Sequence, residues 1–225
     1  PLWSRGLGDV YKRQVQKELH ARLLKINEDA LKKGAKSGSA QQIGDFWYSA
    51  MDTVSIEKNG INPLRDELDK IAAVKNIDDL MVQTARMHSY GSNVFFEDGV
   101  QQDPKHSDVY AYMLNQGGLG MPSRDYYFNT DARAEKIRTA YPAFITTQLR
   151  NAGMDNAQAE QKAKAIVTFE TNLAQNSRKL EDLRDPDANY NKYAITQLNT
   201  LAPTTNLPKY LTLAGVKPVS YTHLR

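Results

Sequence analysis

Residues 116–128 read QGGLGMPSRDYYF, and this stretch interrupts a chain that otherwise carries helical patterning. It contains three glycines, one proline and an Arg-Asp-Tyr-Tyr-Phe cluster. On both sides of it, apolar residues recur at intervals of three and four, the spacing of one helix face. The sequence therefore predicts a mainly α fold that is interrupted by one Gly-rich segment.

The Gly-rich stretch does not fit a phosphate-binding loop. Gly118-x-Gly120 is followed by Met121, Pro122 and Ser123, so the third glycine of a dinucleotide fingerprint and the lysine of a phosphate loop are both missing. The residues predict a turn in which glycines adopt positive φ. We expect Arg124 and Asp125 to hold the neighbouring backbone or each other.

The strongest helical pattern is IGDFWYSAMDTV, in which Ile43, Phe46, Trp47, Ala50, Met51 and Val54 form an apolar stripe of period 3.6. It predicts a helix that ends at Gly60. Asn62 is the predicted N-cap of the next helix, with Pro63 at its first position. Similar spacing and caps predict further helices at 15–33, 77–90 (stopping at Gly91) and 132–150, a helix of about seven turns from the Asp155 cap to Leu180, and short helices near 195–201 and 207–213.

One short segment favours a strand. Val94, Phe95 and Phe96 form an apolar run that is bounded by the turn pairs Asp98-Gly99 and Asp103-Pro104. The run is too brief for a helix, so we predict a small β element near residues 93–102.

Charge and hydropathy exclude two classes of partner. The net charge is +3, of which residues 1–14 supply +2 and residues 218–225 supply +1, so the remaining chain has 25 basic and 25 acidic residues. A neutral core lacks the basic stripe of a nucleic-acid-binding protein. No apolar run approaches the length of a membrane span, and no secretion signal is encoded. The chain has no cysteine, so disulfides are excluded.

No catalytic or metal-binding motif is present. The histidines are His20, His88, His106 and His223; no two lie four residues apart, and His88 precedes SYGS rather than Glu-x-x-His. We predict a helix-end position for His88 and a loop position for His106. A Gly-x-Ser-x-Gly elbow is also absent. The aromatic residues Trp47, Tyr48, Tyr126, Tyr127 and Tyr141 are expected to pack in the core.

Three ordered blocks resemble the neprilysin and endothelin-converting-enzyme family of zinc metallopeptidases, specifically the N-terminal part of a bacterial member. FWYSAMDTVSIEKNGINPLRDELDKI resembles the Phe-Tyr-x-x-Cys-Met-Asp segment, with Ala50 in the place of the cysteine. YGSNVFFEDGVQQDPKHSDVYAYMLNQGGLGMPSRDYYF resembles the block that ends in Gly-Gly-Leu-Gly-Leu-Pro-x-Arg-Asp-Tyr-Tyr. RKLEDLRDPDANYNKYAITQLNTLAP resembles the Arg-Asp-Pro and Tyr-Asn-Lys segment.

This resemblance implies an architectural role for the signature residues, which are Met51, Asp52, Gly117, Gly118, Leu119, Gly120, Pro122, Arg124, Asp125, Tyr126, Tyr127, Arg184, Asp185, Pro186, Tyr190 and Asn191. It implies a helical cap over a catalytic cavity that admits peptides and not folded proteins. The family's His-Glu-x-x-His zinc site and its Asn-Ala-Tyr segment lie in a C-terminal catalytic domain, beyond this sequence. We therefore assign no catalytic residue and no zinc ligand to this chain, and expect zinc and peptide substrates in the full-length parent. Extracytoplasmic location is implied by the family alone.

Both termini resemble translated sequencing adapters. WSRGLGDVYKRQ within residues 1–14 and PVSYTHLR at 218–225 predict that only residues 15–217 are natural, as an incomplete N-terminal helical domain. We expect this chain alone to be inactive and to expose apolar surface that the missing domain would cover. The alternative is a stand-alone helical module that binds peptides or acts as a scaffold.

Overall fold

The structure, a computed structural model, describes the backbone of residues 2–217 and 221–224 and the side chains of residues 10–217. Helices dominate it, which confirms the mainly α prediction. The helices are α1 (Leu2–Lys33), α2 (Gly38–Ala50), α3 (Thr53–Asn59), α4 (Arg65–Ala72), α5 (Ile77–Ser89), α6 (Asp125–Phe128), α7 (Ala132–Asn151), α8 (Asn156–Asn176), α9 (Leu198–Leu201) and α10 (Leu207–Leu213). The strands are β1 (Phe96–Asp103), β2 (His106–Gln116), β3 (Asn191–Ala194) and β4 (Tyr221–Leu224).

The chain forms two compact units that divide after Pro63. In the first unit, α1 packs on α2 where Gly44 faces Ala30. A Cβ on Gly44 would lie 3.0 Å from the Ala30 carbonyl oxygen, so glycine allows the two helices to approach closely.

The helix predicted from Ile43 to Gly60 is in fact two helices. The side chain of Asp52 accepts a hydrogen bond from the Ser55 backbone N–H at 3.0 Å, which ends α2 and caps α3. The apolar stripe is only partly covered in this unit: Phe46 has 74% of its surface accessible and Val54 78%, whereas Ile43 and Trp47 are half-buried. The core position predicted for Tyr48 is wrong, because this side chain is exposed as well.

A short 3-10 turn at Asn62–Leu64 precedes α4, so α4 starts at Arg65 and not at the predicted Pro63. The prediction for α5 is confirmed. Asn76 caps its start by accepting from the Asp79 N–H at 2.9 Å, and Gly91 follows its end with a φ of 79°.

The predicted β element is larger than expected. β1 pairs antiparallel with β2, which the sequence analysis did not anticipate and which includes His106, predicted as a loop residue. Residues 111–114 of β2 are all buried, so the alternation that marks a half-exposed strand is absent. The sheet order is β1-β2-β4-β3, with β4 parallel to β2 and antiparallel to β3.

Two apolar clusters lie among the described residues of the second unit. One gathers residues of α5, β2, α9 and α10, namely Met81, Ala85, Tyr112, Leu114, Leu198, Tyr210 and Leu211. The other lies between the Gly-rich segment and α8, with Met121, Tyr127 and Ala174. The Gly-rich segment is therefore part of the interior of this unit.

α8 ends at Asn176, one turn earlier than predicted. Its cap is confirmed, since the Asp155 side chain accepts from the Gln158 N–H at 3.0 Å. The chain leaves the helix at Ser177 because the backbone of Arg178 pairs with the Gln116 side chain, at 2.8 Å for Arg178 N to Oε1 and 3.1 Å for Nε2 to the Arg178 oxygen. α7 continues through Pro142, and α10 has the predicted bounds.

Candidate functional site

The Gly-rich signature packs against the segment that enters β1. Gly118 has a φ of 77°, and Phe95, which it faces, has a φ of 65° that is uncommon for a residue with a side chain. A Cβ on Gly118 would lie 2.5 Å from Phe95 Cα, and one on Gly117 would lie 2.9 Å from the Glu97 nitrogen. The predicted positive φ is confirmed at Gly118, and these two glycines serve close backbone packing.

Gly120 lies against a buried polar cluster. Glu170, which is 9% exposed, accepts hydrogen bonds from Tyr127 Oη at 2.6 Å and from Tyr141 Oη at 3.0 Å. Tyr127 Oη in turn accepts from the Met121 backbone N–H at 3.2 Å. A Cβ on Gly120 would lie 1.7 Å from Tyr141 Oη. One carboxylate on α8 thus binds the Gly-rich segment through Tyr127 and α7 through Tyr141, and only glycine at position 120 leaves room for Tyr141.

The titration behaviour of the two tyrosines fits a structural role. Burial raises the pKa of Tyr127, and its hydrogen bond to Glu170 raises it further. Burial, with the nearby Glu170 charge, raises the pKa of Tyr141 to about 12. Both hydroxyls therefore keep their protons at neutral pH and act as fixed donors to the carboxylate.

Arg124 and Asp125 do not hold the turn as predicted. The Arg124 guanidinium lies over the Phe128 ring, 4.8 Å from its centre, and its buried Nε has no hydrogen-bond partner. Asp125 begins α6, and its backbone oxygen accepts from the Asn129 N–H at 2.8 Å. The turn is held by the glycine contacts and by Tyr127.

The second and third signature blocks meet through Arg178. While its backbone pairs with Gln116, its guanidinium donates to Asn189 Oδ1 at 2.5 Å. Asn189 is buried and donates to the backbone oxygens of Asp182 and Asp185. The Asp185 side chain accepts from the N–H groups of residues 187 and 188, at 3.0 Å each. Arg184 ends a 3-10 turn there, next to Asp185 and Pro186.

A second connection between the blocks uses Asp103. This carboxylate is 1% exposed and accepts from Lys192 Nζ at 2.8 Å, from Tyr190 Oη at 3.2 Å and from the Lys105 N–H at 2.9 Å. Lys105 also pairs with Asp187 at 2.8 Å. The turn between β1 and β2 is thereby joined to the start of β3.

His88 occupies the last turn of α5, as predicted, and is buried there. Its Nε2 lies 2.9 Å from the Val94 oxygen, and its Nδ1 lies 2.7 Å from Tyr210 Oη and 3.2 Å from Asp98 Oδ1. Tyr210 Oη donates to Asp98 Oδ2 at 2.7 Å, and Tyr112 donates to the same atom. The cluster joins α5, both long strands and α10.

The remaining predicted residues have simpler positions. Leu119 and Tyr126 pack against the Met121 cluster, and the Tyr126 carbonyl accepts from Arg138 at 3.0 Å. Pro122 is exposed, and Asn191 begins β3. In the first unit, Asp52 is the α3 cap and Met51 ends α2.

Sequence reasoning missed the polar partners of these residues, chiefly Glu170, Arg178, Asn189, Asp98 and Tyr210. The chain gave a signal for some of them: Glu170 falls on the apolar face of the α8 pattern, four residues after Ile166 and three before Leu173. A carboxylate at such a position indicates a buried partner, because an unpaired charge is costly in the interior.

Beside the Gly-rich segment lies a cavity of about 290 Å³, bordered by Glu97, Arg124 and Arg178 among others. Across the side chains described, no three His, Cys, Asp or Glu residues gather as metal ligands. No zinc-dependent step is assigned to the described residues. Within the same part of the chain, no helix has the length and apolar character needed to cross a membrane.

Comparisons with known proteins agree with this architecture. The profile of the N-terminal part of peptidase family M13 matches residues 10–224. Endothelin-converting enzyme 1 of Rattus norvegicus is 32% identical over 189 residues, and neprilysin-3 of Drosophila melanogaster is 28% identical over 184. These matches cover 79% and 77% of this chain but only 24% and 23% of the relatives.

Among solved structures, the zinc metalloprotease Zmp1 of Mycobacterium tuberculosis in complex with an inhibitor superposes with a TM-score of 0.84 at 26% identity. The match covers 95% of this chain and 33% of Zmp1. The chain thus spans about a quarter to a third of the proteins that it matches. It belongs to peptidase family M13, to the N-terminal part of these metallopeptidases.

Proposed function

We propose that this chain is the helical cap of a zinc-dependent metalloendopeptidase, which limits access to the catalytic cavity so that peptides enter and folded proteins do not. The observation that carries the proposal is the family match over residues 10–224 together with the coverage of only a quarter to a third of each relative. In this proposal zinc and the catalytic residues belong to the remainder of the parent protein, and this chain alone is inactive.

The roles of the signature residues support a non-catalytic part. Gly118 and Gly120 allow close packing, Tyr127 donates to a buried carboxylate, and Asp185 organises a turn. Each polar contact is made to another group of the same unit. These contacts support a structural role for Gly118, Gly120, Tyr127 and Asp185.

In this proposal a partner domain covers aromatic side chains that are exposed in the second unit. In the second unit Tyr110 is 69% exposed, and Phe144 and Phe169 are exposed as well. The proposal expects these side chains to lose accessibility in the extended parent.

The same proposal includes a bacterial, extracytoplasmic parent and an incomplete natural segment at 15–217, with residues 1–14 and 218–225 derived from adapters. Reading the parent DNA onward from primers inside 15–217 tests this directly. We expect a His-Glu-x-x-His motif several hundred codons downstream and no PVSYTHLR. A stop codon close to Lys217 would instead favour the stand-alone helical module.

Activity measurements test the cap role. We expect the 225-residue chain to cleave no peptide in the presence of zinc, and the extended parent to cleave short peptides in a chelator-sensitive reaction while leaving a folded protein with the same cleavable sequence intact. Chelator-sensitive hydrolysis by the 225-residue chain would contradict the proposal. So would equal cleavage of the folded and the unfolded substrate by the parent.

A further inference from the structure

The cavity of about 290 Å³ lies between the Gly-rich segment and the chain that leaves α8. Leu119, Met121 and Arg124 border it from the Gly-rich segment, and Arg178 and Leu183 border it from the chain after α8. All of its lining residues belong to the second unit. The volume is near the lower end of the range for small-molecule sites, so the cavity suits a small ligand.

Arg124 places a fixed positive charge at this cavity. Its guanidinium lies over the Phe128 ring, 4.8 Å from the ring centre, and this contact limits its motion. Its buried Nε has no hydrogen-bond partner. A guanidinium stays charged in proteins and has five N–H donors, and a buried donor without an acceptor is costly. The Arg124 head group therefore has a donor that its own unit does not use.

Arg178 supplies a second positive charge. Its guanidinium donates to Asn189 Oδ1 at 2.5 Å and its backbone pairs with the Gln116 side chain, so the side chain is held in position. Asn189 is a neutral amide, so this contact positions the charge without neutralising it. Among the ion pairs of residues 10–217, none includes Arg124 or Arg178. The two charges are therefore not neutralised by ion pairs within this part of the chain.

The charges and the apolar walls define a class of ligand. Glu97 is the acidic residue among those that line the cavity, so Arg124 and Arg178 against Glu97 leave a charge of +1. A monoanion balances this charge, whereas a dianion such as phosphate meets stronger repulsion from Glu97. The planar fork of a guanidinium matches the two oxygens of a carboxylate. Leu119 and Leu183 add apolar surface for a short hydrocarbon body.

We propose that this cavity is a binding site for a small monocarboxylic acid with an apolar body. The carboxylate binds the Arg124 guanidinium in the field of Arg178, and the body packs against Leu119 and Leu183. Contacts inside the second unit hold both guanidinium groups, so the site is independent of the peptidase assignment.

Isothermal titration calorimetry of the full 225-residue chain with N-acetyl-leucine tests the site. At low salt we expect saturable binding that is at least tenfold tighter than binding of the uncharged N-acetyl-leucinamide or of inorganic phosphate. Amide hydrogen exchange should slow in residues 116–124 and 177–183 when the acid is added. The proposal would be overturned by an absence of saturable binding up to about 10 mM, or by equal affinity for the acid and either comparison compound.

Two substitutions separate the fork from the charge. Arg124→Gln removes both and should weaken binding at least tenfold, whereas Arg124→Lys keeps the charge and should weaken it at least threefold. The matched control is Arg133→Gln, which removes the same charge from an exposed side chain on α7 and should change the affinity less than twofold. Unchanged affinity in Arg124→Gln, or an equal loss in the control, would contradict the assignment.

The exchange measurement uses the unmodified chain, so it locates the ligand even if Arg124→Gln does not fold. Protection by the acid outside residues 116–124 and 177–183, and not within them, would refute the site.

Titration of the extended parent distinguishes a ligand from solution from a carboxylate of the parent itself. We expect the acid to bind the parent within tenfold of its affinity for this chain. Loss of binding in the parent alone would overturn a ligand from solution and would indicate that an acidic side chain of the remaining protein binds Arg124.

Discussion

Replacing Gly120 with alanine places a methyl group where the Tyr141 hydroxyl lies. The added Cβ would be 1.7 Å from Tyr141 Oη, 2.9 Å from its Cζ and 3.0 Å from Glu170 Oε1. The Tyr141 ring must therefore retreat by about 1.5 Å or more to reach ordinary contact distance. That displacement breaks the 3.0 Å hydrogen bond to Glu170.

Two terms give the magnitude for Gly120→Ala. Insertion of a methyl group into a packed interior costs about 1–3 kcal/mol, and loss of a hydrogen bond to a charged group costs about 1.5–3 kcal/mol. Part of the hydrogen-bond term is offset because Tyr127 still donates to the carboxylate. We expect a loss of about 3 kcal/mol in the free energy of unfolding of the second unit.

A double-mutant cycle with Tyr141→Phe identifies the cause. Removal of the hydroxyl alone should cost about 1.5 kcal/mol, and in that background Gly120→Ala should cost about 1–2 kcal/mol less than in the unmodified chain. The matched control is Gly99→Ala, because a Cβ there meets nothing within 4 Å. Its effect should lie within about 0.5 kcal/mol of zero.

The assay must measure the unfolding of the second unit. Trp3 and Trp47, which are the tryptophans of the chain, both precede Pro63, so tryptophan fluorescence follows the first unit. Hydrogen exchange of peptides from 116–176 under increasing urea reports the correct region. If Gly120→Ala resembles Gly99→Ala, or if the costs of Gly120→Ala and Tyr141→Phe simply add, the proposed clash does not exist.

Two further perturbations test other contacts. Tyr210→Phe removes a buried hydroxyl that donates to Asp98, so it should lower the free energy of unfolding in urea by about 1.5–3 kcal/mol. Tyr110→Phe, on an exposed side chain, should be nearly neutral. Equal effects of the two substitutions would contradict the buried network. The hydrogen bond from Arg86 lowers the pKa of Glu67 to about 2, so its contribution to stability is present above about pH 4.5 and is lost as the pH falls toward 2. The difference in unfolding midpoint between the unmodified chain and Glu67→Gln should therefore shrink from pH 5 to pH 2, and a constant difference would be inconsistent with this pair.

Local residues were enough to predict most helices. The Asp155 cap, the Gly91 stop and the extent of α10 follow from contacts within a few residues along the chain, and the structure shows each of them. The residue types of the Gly-rich segment also predicted a turn, because they allow few other conformations. The family followed from three blocks in order, each recognisable without any knowledge of their contacts.

The contacts that the residues of those blocks make depend on the tertiary structure. α8 ends at Asn176 because Gln116, some 60 residues earlier, takes the backbone of Arg178. Position 120 requires glycine because the side chains of Tyr141 on α7 and Glu170 on α8 occupy the space that a Cβ would need. Sequence patterns carry the period of each helix, whereas the partner of a buried carboxylate depends on which elements pack together. The free energy of the whole folded unit determines which elements pack together, so a local sequence pattern does not reveal the partner of a buried carboxylate.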